Sequence, residues 1–590
     1  MKTLLQQINS PTDLKKLSMQ ELEQLTTEIR TQMLTRLSVT GGHVGSNLGM
    51  IETTTALHYV FNSPVDKFVF DVSHQCYTHK LLTGRKEAYT DPKQYDKVTG
   101  FTNPLESEHD LFAVGHTSTA ISLACGLAKA RNLQKANYQI IAVTGDGALS
   151  GGLAFEGLNN AATLHGPLMI VINDNQMSIA ENHGGIYQNL QLLRNTQGKA
   201  ECNLFKAMGF DYYFVQDGHN LNELIDVFSK VKQISHPVIV HVCTTKGKGY
   251  LFAEEEKEKW HYMAPFHQEN GLTLAKPNTY ETYENLTRDY LIAKMKKDKS
   301  IVAITAGTPK IFGFDKKLRD EFPEQFVDVG IAEGHAVSFV SGIAKNGGKP
   351  VFGVSSSFLQ RAYDQLSHDL ALNKSPAVIL VYFSGISSGN QTHMGIFDIP
   401  LTMNIPNLTC LAPSCKEEYL DMLEWALEQT DGPVIIRVPG IQTLSRKVEL
   451  LTDYSNQVKY ETVISGNQVA ILALGNFYQL GKDVQAYLNK AYNIEASLIN
   501  PRYITGYDKV TLEKLKENHQ LVVTLENGQI DGGFGEKIAR YYGTSQMKVL
   551  NLGAEKAFID NLSVQTQYQR FHLTVPQIAE NILKVLQGLD

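Results

Sequence analysis

Two apolar runs that end in polar turns constrain the fold of this chain more than any other feature. Residues 140–144 form the first run and are followed by Gly145-Asp146-Gly147-Ala148; residues 168–172 form the second and are followed by Asn173-Asp174-Asn175. A helical stretch separates the two runs. This order predicts two parallel strands of one sheet, with Asp146 and Asn175 at the carboxyl edge where open α/β sheets bind ligands.

The residue types at this edge predict a magnesium and diphosphate site. Mg²⁺ prefers hard oxygen ligands in an octahedral shell that includes substrate phosphates. Asp146 offers a carboxylate, Asn175 an amide oxygen and Met177 a backbone carbonyl. Gly147 lets the backbone approach a diphosphate, and the N-terminus of the following helix favours an anion. A Gly-Asp-Gly triplet alone could be an ordinary turn, but the second strand and its Asn-Asp-Asn end favour the metal site.

The alternation of strand-like and helical patterns restarts twice along the chain. A polar stretch at residues 276–278 precedes a new apolar run at residues 301–305, and another at residues 445–457 precedes a run at residues 469–474. We therefore predict an α/β protein with three parallel-sheet domains, at residues 1–278, 279–445 and 456–590. Near the start, Ser18 and Glu21 fit a capping box and predict a helix that ends at Gly41.

Composition excludes several classes of function. The chain has 590 residues and a net charge of −7, which argues against a nucleic-acid surface because phosphate binding needs a basic patch. Its six cysteines include no CxxC pair, which favours reduced thiols over a zinc site or a disulfide framework. No signal peptide and no membrane-spanning stretch are recognisable. We expect a cytoplasmic protein that interacts with neither nucleic acid nor membranes.

Ordered motifs along nearly the whole chain resemble those of the 1-deoxy-D-xylulose-5-phosphate synthase family, which are transketolase-like thiamine-diphosphate enzymes. The motifs that carry the resemblance are Gly41 to Gly49 (GGHVGSNLG), Asp71 to Gln75 (DVSHQ), Gly115 to Thr119 (GHTST), Thr245 to Tyr250 (TKGKGY), Val329 to Ala336 (VGIAEGHA), Ser357 to Asp364 (SFLQRAYD), Gln391 to His393 (QTH) and Asn500 to Arg502 (NPR). The resemblance implies three α/β domains of transketolase type.

The resemblance also implies a set of cofactor and metal contacts. Asp146, Asn175 and Met177 would hold Mg²⁺, and Glu333 would meet N1′ of the aminopyrimidine ring, where a carboxylic acid favours the form of the ring that activates thiazolium C2. The residues expected to contact thiamine diphosphate are His74, Gly115, His116, Thr117, Gly147, Ala148, Asn175, Tyr250 and Glu333.

In the family, pyruvate loses carbon dioxide and the remaining two-carbon unit joins glyceraldehyde 3-phosphate. By similarity, His43, His261 and His393 would assist proton transfer and stabilise oxyanion charge, together with Glu333 as the catalytic acid. Tyr363 and Arg502 would hold the phosphorylated aldehyde, because the arginine fork suits phosphate. The resemblance further implies a homodimer.

Four departures from the family pattern all lie on the acceptor side. The stretch at residues 101–105 lacks the usual arginine, Tyr382-Phe383 replaces an Asp-Arg pair, Gly389-Asn390 replaces Asp-Gly, and Thr505 replaces a lysine. Each removes a charge, and each lost charged hydrogen bond to a phosphate typically costs about 1.5–3 kcal/mol. The segment from residue 182 to residue 248 is also shorter than is usual in the family.

These departures leave alternative functions open. One is a transketolase-type transferase with a different donor or acceptor aldehyde. Another is a subunit that hands an acyl group to a lipoyl domain, which the fused three-domain chain disfavours. The last is a cofactor-binding scaffold without catalysis, which Glu333, Asp146 and Asn175 disfavour because a scaffold would not need them.

Overall fold

The computed structural model describes residues 3–455 and 457–588, so the predicted domain limits at residues 1, 456 and 590 lie outside the described residues. The chain divides into two compact units. Unit 1 contains the residues up to Pro277 together with Gly330–Ala332, and unit 2 contains Asn278–Val329 and the residues from Glu333 onward.

Unit 1 is built on a five-stranded sheet whose strands all run parallel, in the order β1-β2-β3-β5-β4. Strands β2, β3 and β5 are buried along nearly their whole length because helices cover the sheet, which explains their continuous apolar sequences. The strands are β1 Lys67–Phe70, β2 Ile140–Gly145, β3 Leu168–Asp174, β4 Asp211–Val215 and β5 Pro237–Cys243.

The helices of unit 1 include the one predicted near the start of the chain. Ser18 caps α3 and forms the capping box with Glu21, and Gly41 ends the helix with a φ of 69°. The helices are α1 Leu4–Gln7, α2 Pro11–Leu14, α3 Met19–Thr40, α4 Val44–Leu48, α5 Ile51–Val60, α6 Tyr77–Lys80, α7 Glu87–Thr90, α8 Ala120–Leu133, α9 Gly152–Ala161, α10 Gly185–Asn195, α11 Leu204–Ala207, α12 Leu221–Val231 and α13 Leu251–Glu255, with shorter turns at Leu81–Arg85, Pro92–Lys97, Asp146–Ser150 and Lys259–His261.

Unit 2 contains two sheets within its described residues. The first has six parallel strands in the order β10-β11-β9-β8-β6-β7, and the second has five strands in the order β12-β14-β13-β15-β16. Strand β12, at the edge of the second sheet, pairs antiparallel with β14, and the other strands of that sheet pair in parallel. The strands are β6 Ile301–Thr305, β7 Phe326–Asp328, β8 Lys349–Ser355, β9 Val378–Tyr382, β10 Thr409–Leu411, β11 Val434–Arg437, β12 Glu461–Ile464, β13 Gln468–Ala473, β14 Ser497–Asn500, β15 His519–Gln529 and β16 Lys548–Ala554.

The helices of unit 2 follow its strands, as expected for crossover connections between parallel strands. They are α14 Tyr283–Lys297, α15 Lys316–Glu321, α16 Glu333–Lys345, α17 Ser356–Leu359, α18 Asp398–Met403, α19 Lys416–Glu428, α20 Tyr478–Tyr492, α21 Lys509–Asn518, α22 Phe534–Tyr542, α23 Val564–Arg570 and α24 Val575–Gln587, with shorter turns at Pro309–Phe312, Gln360–Ala362, Gln365–Leu372 and Gly475–Phe477. Across the described residues of both units, no helix has the length and apolar character needed to cross a bilayer.

Candidate active site

The carboxyl ends of β2 and β3 place Asp146 and Asn175 at one edge of the unit 1 sheet. The two strands pair in parallel with Gly145 opposite Asn173, so the residues that follow each strand leave the sheet side by side. This is the arrangement that the sequence predicted. Carboxylate and amide oxygens therefore project from the edge where parallel sheets bind ligands.

The Asp146 carboxylate is buried and only partly hydrogen-bonded. Its Oδ2 accepts a hydrogen bond from Asn182 at 2.8 Å, whereas its Oδ1 is buried and has no hydrogen-bond partner within the described residues. Burial raises the pKa of Asp146 well above its ordinary value, and the neighbouring Asp174 carboxylate raises it further. A cation at this position would offset both effects, so the carboxylate fits a metal ligand.

A tight turn after β3 presents Asn175 and Met177. The amide N–H of Met177 donates to Asn175 Oδ1 at 3.2 Å, and Gln176 between them has a φ of 67°. Within the described residues, no three His, Cys, Asp or Glu side chains form a metal cluster. One carboxylate, one amide and one carbonyl would therefore need phosphate oxygens to complete an octahedral shell, which is the usual situation for Mg²⁺.

Gly147 and Ala148 lie where the loop after β2 approaches the loop after β3. A Cβ atom added to Gly147 would be 2.7 Å from Cβ of Ser178, so no larger residue fits without a shift of one loop. The carbonyl of Ala148 accepts a hydrogen bond from the Ser118 hydroxyl at 2.8 Å. This bond joins the segment to the Gly-His-Thr-Ser-Thr loop.

Asp71 holds the loop that contains Gly115, His116 and Thr117. Its two carboxylate oxygens accept hydrogen bonds from the amides of Ser118 at 2.7 Å and Ala120 at 3.2 Å. Ser118 has a φ of 71°, a conformation that non-glycine residues rarely adopt without support. Gly115 is buried, and His116 and Thr117 are partly exposed.

Three histidines that the sequence nominated lie together in unit 1. The ring centroid of His43 is 5.0 Å from that of His74 and 5.5 Å from that of His261, and the His74 and His261 centroids are 5.2 Å apart. Lys246 Nζ lies 3.2 Å from His261 Nδ1 and donates to the Ser178 carbonyl at 2.7 Å. Burial lowers the pKa of Lys246 to about 7, so this group can exchange a proton near neutral pH.

In unit 2, Glu333 begins α16 and is 3% exposed. Burial raises the pKa of its carboxyl group, and the guanidinium of Arg361, 3.6 Å away, opposes part of this shift. A buried carboxyl group with a raised pKa can keep a proton at neutral pH and donate it in a hydrogen bond. This is the property that the predicted contact with N1′ requires.

His393 and Tyr363 occupy the surface of unit 2. Nδ1 of His393 lies 2.8 Å from the Thr392 hydroxyl, and its ring packs 5.6 Å from that of Phe358. Tyr363 is 41% exposed, and its hydroxyl donates to Asn404 at 2.7 Å. Both side chains therefore retain surface that a small molecule could contact.

The comparisons with known proteins extend over the whole chain. The family model described as 1-deoxy-D-xylulose-5-phosphate synthase matches residues 5–203 and 195–244, the transketolase pyrimidine binding domain matches 281–443, and the transketolase C-terminal domain matches 459–578. The 1-deoxy-D-xylulose-5-phosphate synthase of Caldanaerobacter subterraneus is 38% identical over 98% of this chain and 99% of its own length. That of Clostridium acetobutylicum is 39% identical over 97% of this chain and 98% of its own.

The chain belongs to the 1-deoxy-D-xylulose-5-phosphate synthase family. This membership confirms the predicted α/β fold with transketolase domains and the predicted enzyme class, a transferase. Solved transketolase structures have a lower sequence identity to this chain. The transketolase from Leishmania mexicana is 15% identical over 96% of this chain and 98% of its own length, with a TM-score of 0.43.

Arg502 does not have the environment that the resemblance to this family implied. Its side chain is fully buried, Nε donates to Glu418 at 2.7 Å, and a terminal nitrogen donates to the carbonyl of Glu449. Nε and one terminal nitrogen of the guanidinium are thus bonded in the core, while the other terminal nitrogen is buried without a hydrogen-bond partner among the described residues. The structure therefore favours a core position for Arg502, between α19 and β14, and its contact with a substrate phosphate stays a prediction.

Tyr250 is packed among aromatic side chains of unit 1. It is 8% exposed, its ring packs 5.1 Å from Trp260 and 6.0 Å from Phe266, and its hydroxyl donates to the carbonyl of Gln268 at 3.0 Å. The structure thus gives Tyr250 packing contacts, and its contact with the cofactor stays a prediction.

Several residues in or beside the candidate site were not nominated from sequence. Asn182 and Lys246 contact the site directly, while Asp71, Asp174 and His241 support it from within the core. The available signals were weak: Asp174 stands inside the Asn-Asp-Asn segment, and His241 interrupts an apolar strand. A polar residue in a fully buried strand needs a buried partner, which is a reason to examine such positions.

Proposed function

We propose that this chain is a thiamine-diphosphate-dependent carboligase that decarboxylates pyruvate and joins the two-carbon unit to glyceraldehyde 3-phosphate, giving 1-deoxy-D-xylulose 5-phosphate. The observation that carries the proposal is the match to synthases named for this product, at 38% identity over 98% of the chain. The geometry of each unit supports it, because each contains groups with the chemistry that the coenzyme requires.

For the coenzyme, unit 1 supplies the anion and metal contacts. Asp146, Asn175 and Met177 would hold Mg²⁺, and the buried Oδ1 of Asp146, which has no hydrogen-bond partner in the described part of the chain, supports this role. The close-packed Gly147 segment and the adjacent loop of Gly115 would contact the diphosphate. When bound, thiamine diphosphate would supply a carbon nucleophile for the keto group of the donor.

For the reaction, we assign proton handling to Glu333 and to the histidines. Glu333 would hold a proton at N1′ of the pyrimidine ring, which its raised pKa favours. His43, His261 and His393 would donate hydrogen bonds to oxygens on which charge develops. Tyr363 would contact the acceptor aldehyde through its exposed ring and hydroxyl.

The environments of two residues favour a second candidate function, in which the same two-carbon unit is joined to a different aldehyde. Arg502 is ion-paired in the core, and Phe383, which stands where the family carries an arginine, is 62% exposed with a φ of 53°. Two cationic groups expected for an acceptor phosphate are therefore not offered at these positions. A neutral or smaller aldehyde would not need them.

Mass spectrometry of the products separates the two candidates. The purified chain is incubated with thiamine diphosphate, Mg²⁺ and pyruvate, with glyceraldehyde 3-phosphate or a matched unphosphorylated aldehyde such as glyceraldehyde. The first candidate predicts a higher kcat/KM with the phosphorylated aldehyde; a preference for the unphosphorylated one supports the second. Turnover of ketose phosphates without carbon dioxide release would contradict both.

We also infer the remaining features that the family resemblance implies. These are three α/β domains at residues 1–278, 279–445 and 456–590, Mg²⁺ as the metal, a homodimer and a cytoplasmic location. The family models for the two transketolase domains, at residues 281–443 and 459–578, support the two internal domain limits.

A further inference from the structure

A buried chain of polar side chains lies behind the metal ligands and takes no part in the proposed reaction. Asp174 Oδ2 accepts a hydrogen bond from His241 Nε2 at 2.9 Å and pairs with Arg194. The other ring nitrogen of His241, Nδ1, lies 2.7 Å from the hydroxyl oxygen of Tyr212. We call Asp174, His241, Tyr212 and Arg194 the Asp174 network.

The network is anchored in the sheet of unit 1. Asp174 ends β3, His241 lies within β5, and Tyr212 lies within β4, and these three strands are neighbours in the sheet. The side chains of Asp174 and His241 are fully buried. Because an unpaired buried carboxylate is costly, the histidine and the arginine fix both the position and the orientation of Asp174.

Asp174 in turn shapes the turn that carries two of the metal ligands. Its Oδ1 accepts a hydrogen bond from the amide of Gln176 at 3.2 Å, and its carbonyl accepts one from the amide of Thr244 at 2.9 Å. Gln176 adopts a left-handed φ of 67°, which is unfavourable for a residue other than glycine. The bond from Asp174 stabilises this conformation, and the conformation directs Asn175 and Met177 to the sheet edge.

We propose that the Asp174 network positions the metal ligands of this enzyme and thereby sets its affinity for Mg²⁺. Asp174, His241 and Tyr212 are positioning residues, because they act through Asn175 and Met177 and do not themselves contact the ion. This inference rests on the proposed function, in which Asp146, Asn175 and Met177 hold Mg²⁺. Loss of such supporting partners typically weakens metal binding by about 10- to 100-fold.

Calorimetric titration of Mg²⁺ into the protein, at a saturating concentration of thiamine diphosphate, tests the inference without an activity assay. His241→Leu removes the donor to Asp174, whereas His241→Gln keeps an N–H donor at similar reach. The expected result is a Kd for Mg²⁺ raised by about 10- to 100-fold in His241→Leu and largely restored in His241→Gln.

The pair of His236 and Asp211 provides a matched control. These residues also form a histidine–aspartate contact between β4 and the start of β5, at 2.9 Å, but both side chains are more than half exposed. His236→Gln is expected to bind Mg²⁺ like the wild type. Thermal melting of each variant shows whether the fold is retained.

The outcomes distinguish this inference from the proposed function. A folded His241→Leu protein with an unchanged Kd for Mg²⁺ overturns the inference and leaves the function intact. If His241→Leu does not fold, Tyr212→Phe decides, because it deletes one hydroxyl group: a raised Kd supports the inference and an unchanged Kd overturns it. A wild-type protein that takes up no Mg²⁺ with the coenzyme would overturn both.

Discussion

At the scale of single residues, the same degree of burial leads to different roles for two charged side chains. Glu333 is 3% exposed and Arg502 is fully buried, yet burial raises the pKa of Glu333 in spite of Arg361 at 3.6 Å, whereas Arg502 is hydrogen-bonded to a carboxylate at 2.7 Å. The carboxyl group is therefore available to hold and release a proton. The guanidinium is already neutralised by the protein.

We expect Glu333→Ala to bind thiamine diphosphate nearly as well as the wild type and to turn over about 10²- to 10⁴-fold more slowly, the usual range for loss of an acid–base group. Calorimetry measures the binding and product formation measures the rate. Glu321→Ala, in an exposed glutamate of α15, is the control. A Glu333→Ala enzyme with near wild-type turnover would refute the catalytic role.

Arg502→Met should destabilise the protein by about 3–5 kcal/mol, because it leaves the Glu418 carboxylate buried and unpaired. Thermal unfolding measures the effect, and the double change Arg502→Met with Glu418→Gln should recover part of the loss. The KM for the acceptor aldehyde should not change. An unaltered melting temperature with a strongly raised KM would restore the phosphate-binding role.

At the scale of elements, the ends of strands and the starts of helices carry the site. Asp146 follows β2, Asn175 follows β3, and Glu333 starts α16. Close packing between the loops after β2 and β3 restrains the first two positions, since a Cβ atom on Gly147 would meet Ser178. A buried carboxylate also holds the start of α22, where Glu526 accepts hydrogen bonds from the amides of Phe534 and Gly535.

Gly147→Ala should weaken the binding of thiamine diphosphate about tenfold or more, because overpacking typically costs about 1–3 kcal/mol. Calorimetry with Mg²⁺ present measures the change. Gly126→Ala on α8, where a Cβ atom meets nothing within 4 Å, is the matched control and should bind normally. If Gly147→Ala bound thiamine diphosphate as tightly as Gly126→Ala, the loops after β2 and β3 could move apart without loss of binding, and the prediction would be wrong.

Glu526 should make stability depend on pH. Burial raises its pKa to about 7, although it accepts hydrogen bonds from the amides of Phe534 and Gly535, so the folded state binds a proton that the unfolded state has lost. Its contribution is full below about pH 4.5 and is lost as the pH rises through about 7, a change of about 3 kcal/mol.

Thermal unfolding of Glu526→Gln at several pH values checks this sign. Relative to the wild type, the variant should gain stability between pH 5 and pH 8, because only the wild type acquires a buried charge. Glu536→Gln, in an exposed glutamate of the same helix, should show no such gain. A constant difference between Glu526→Gln and the wild type at all pH values would contradict the prediction.

At the scale of the whole molecule, the similarity to the family extends along nearly the whole chain. The family models match residues 5–244, 281–443 and 459–578, and the four departures from the family pattern concern positions that the resemblance assigns to the acceptor. We therefore expect the acceptor contacts to follow the family less closely than the coenzyme and metal contacts. Substrate choice is the property for which this chain is expected to differ most from its relatives.

We expect the protein to be a homodimer, with a mass in solution about twice the 65.6 kDa of the chain. Light scattering after gel filtration measures it, with and without thiamine diphosphate and Mg²⁺. A monomer in both conditions that retains full activity would contradict the expectation.

The sequence by itself determined the α/β class, the strand ends that carry Asp146 and Asn175, and the start of α3. These follow from local patterns, because apolar runs, capping residues and turn residues act over a few neighbours in the chain. The antiparallel pairing of β12 was not predictable in the same way, since pairing joins segments distant in sequence.

Only the tertiary structure decided the partner of each charged side chain. Glu418 is 84 residues from Arg502, and His241 is 67 residues from Asp174, yet each pair lies within hydrogen-bond distance in the core. Whether a buried charge is neutralised or left reactive depends on such distant contacts, because burial and pairing shift its free energy in opposite directions. For that reason the sequence could predict a phosphate contact for Arg502 but not its burial beside Glu418.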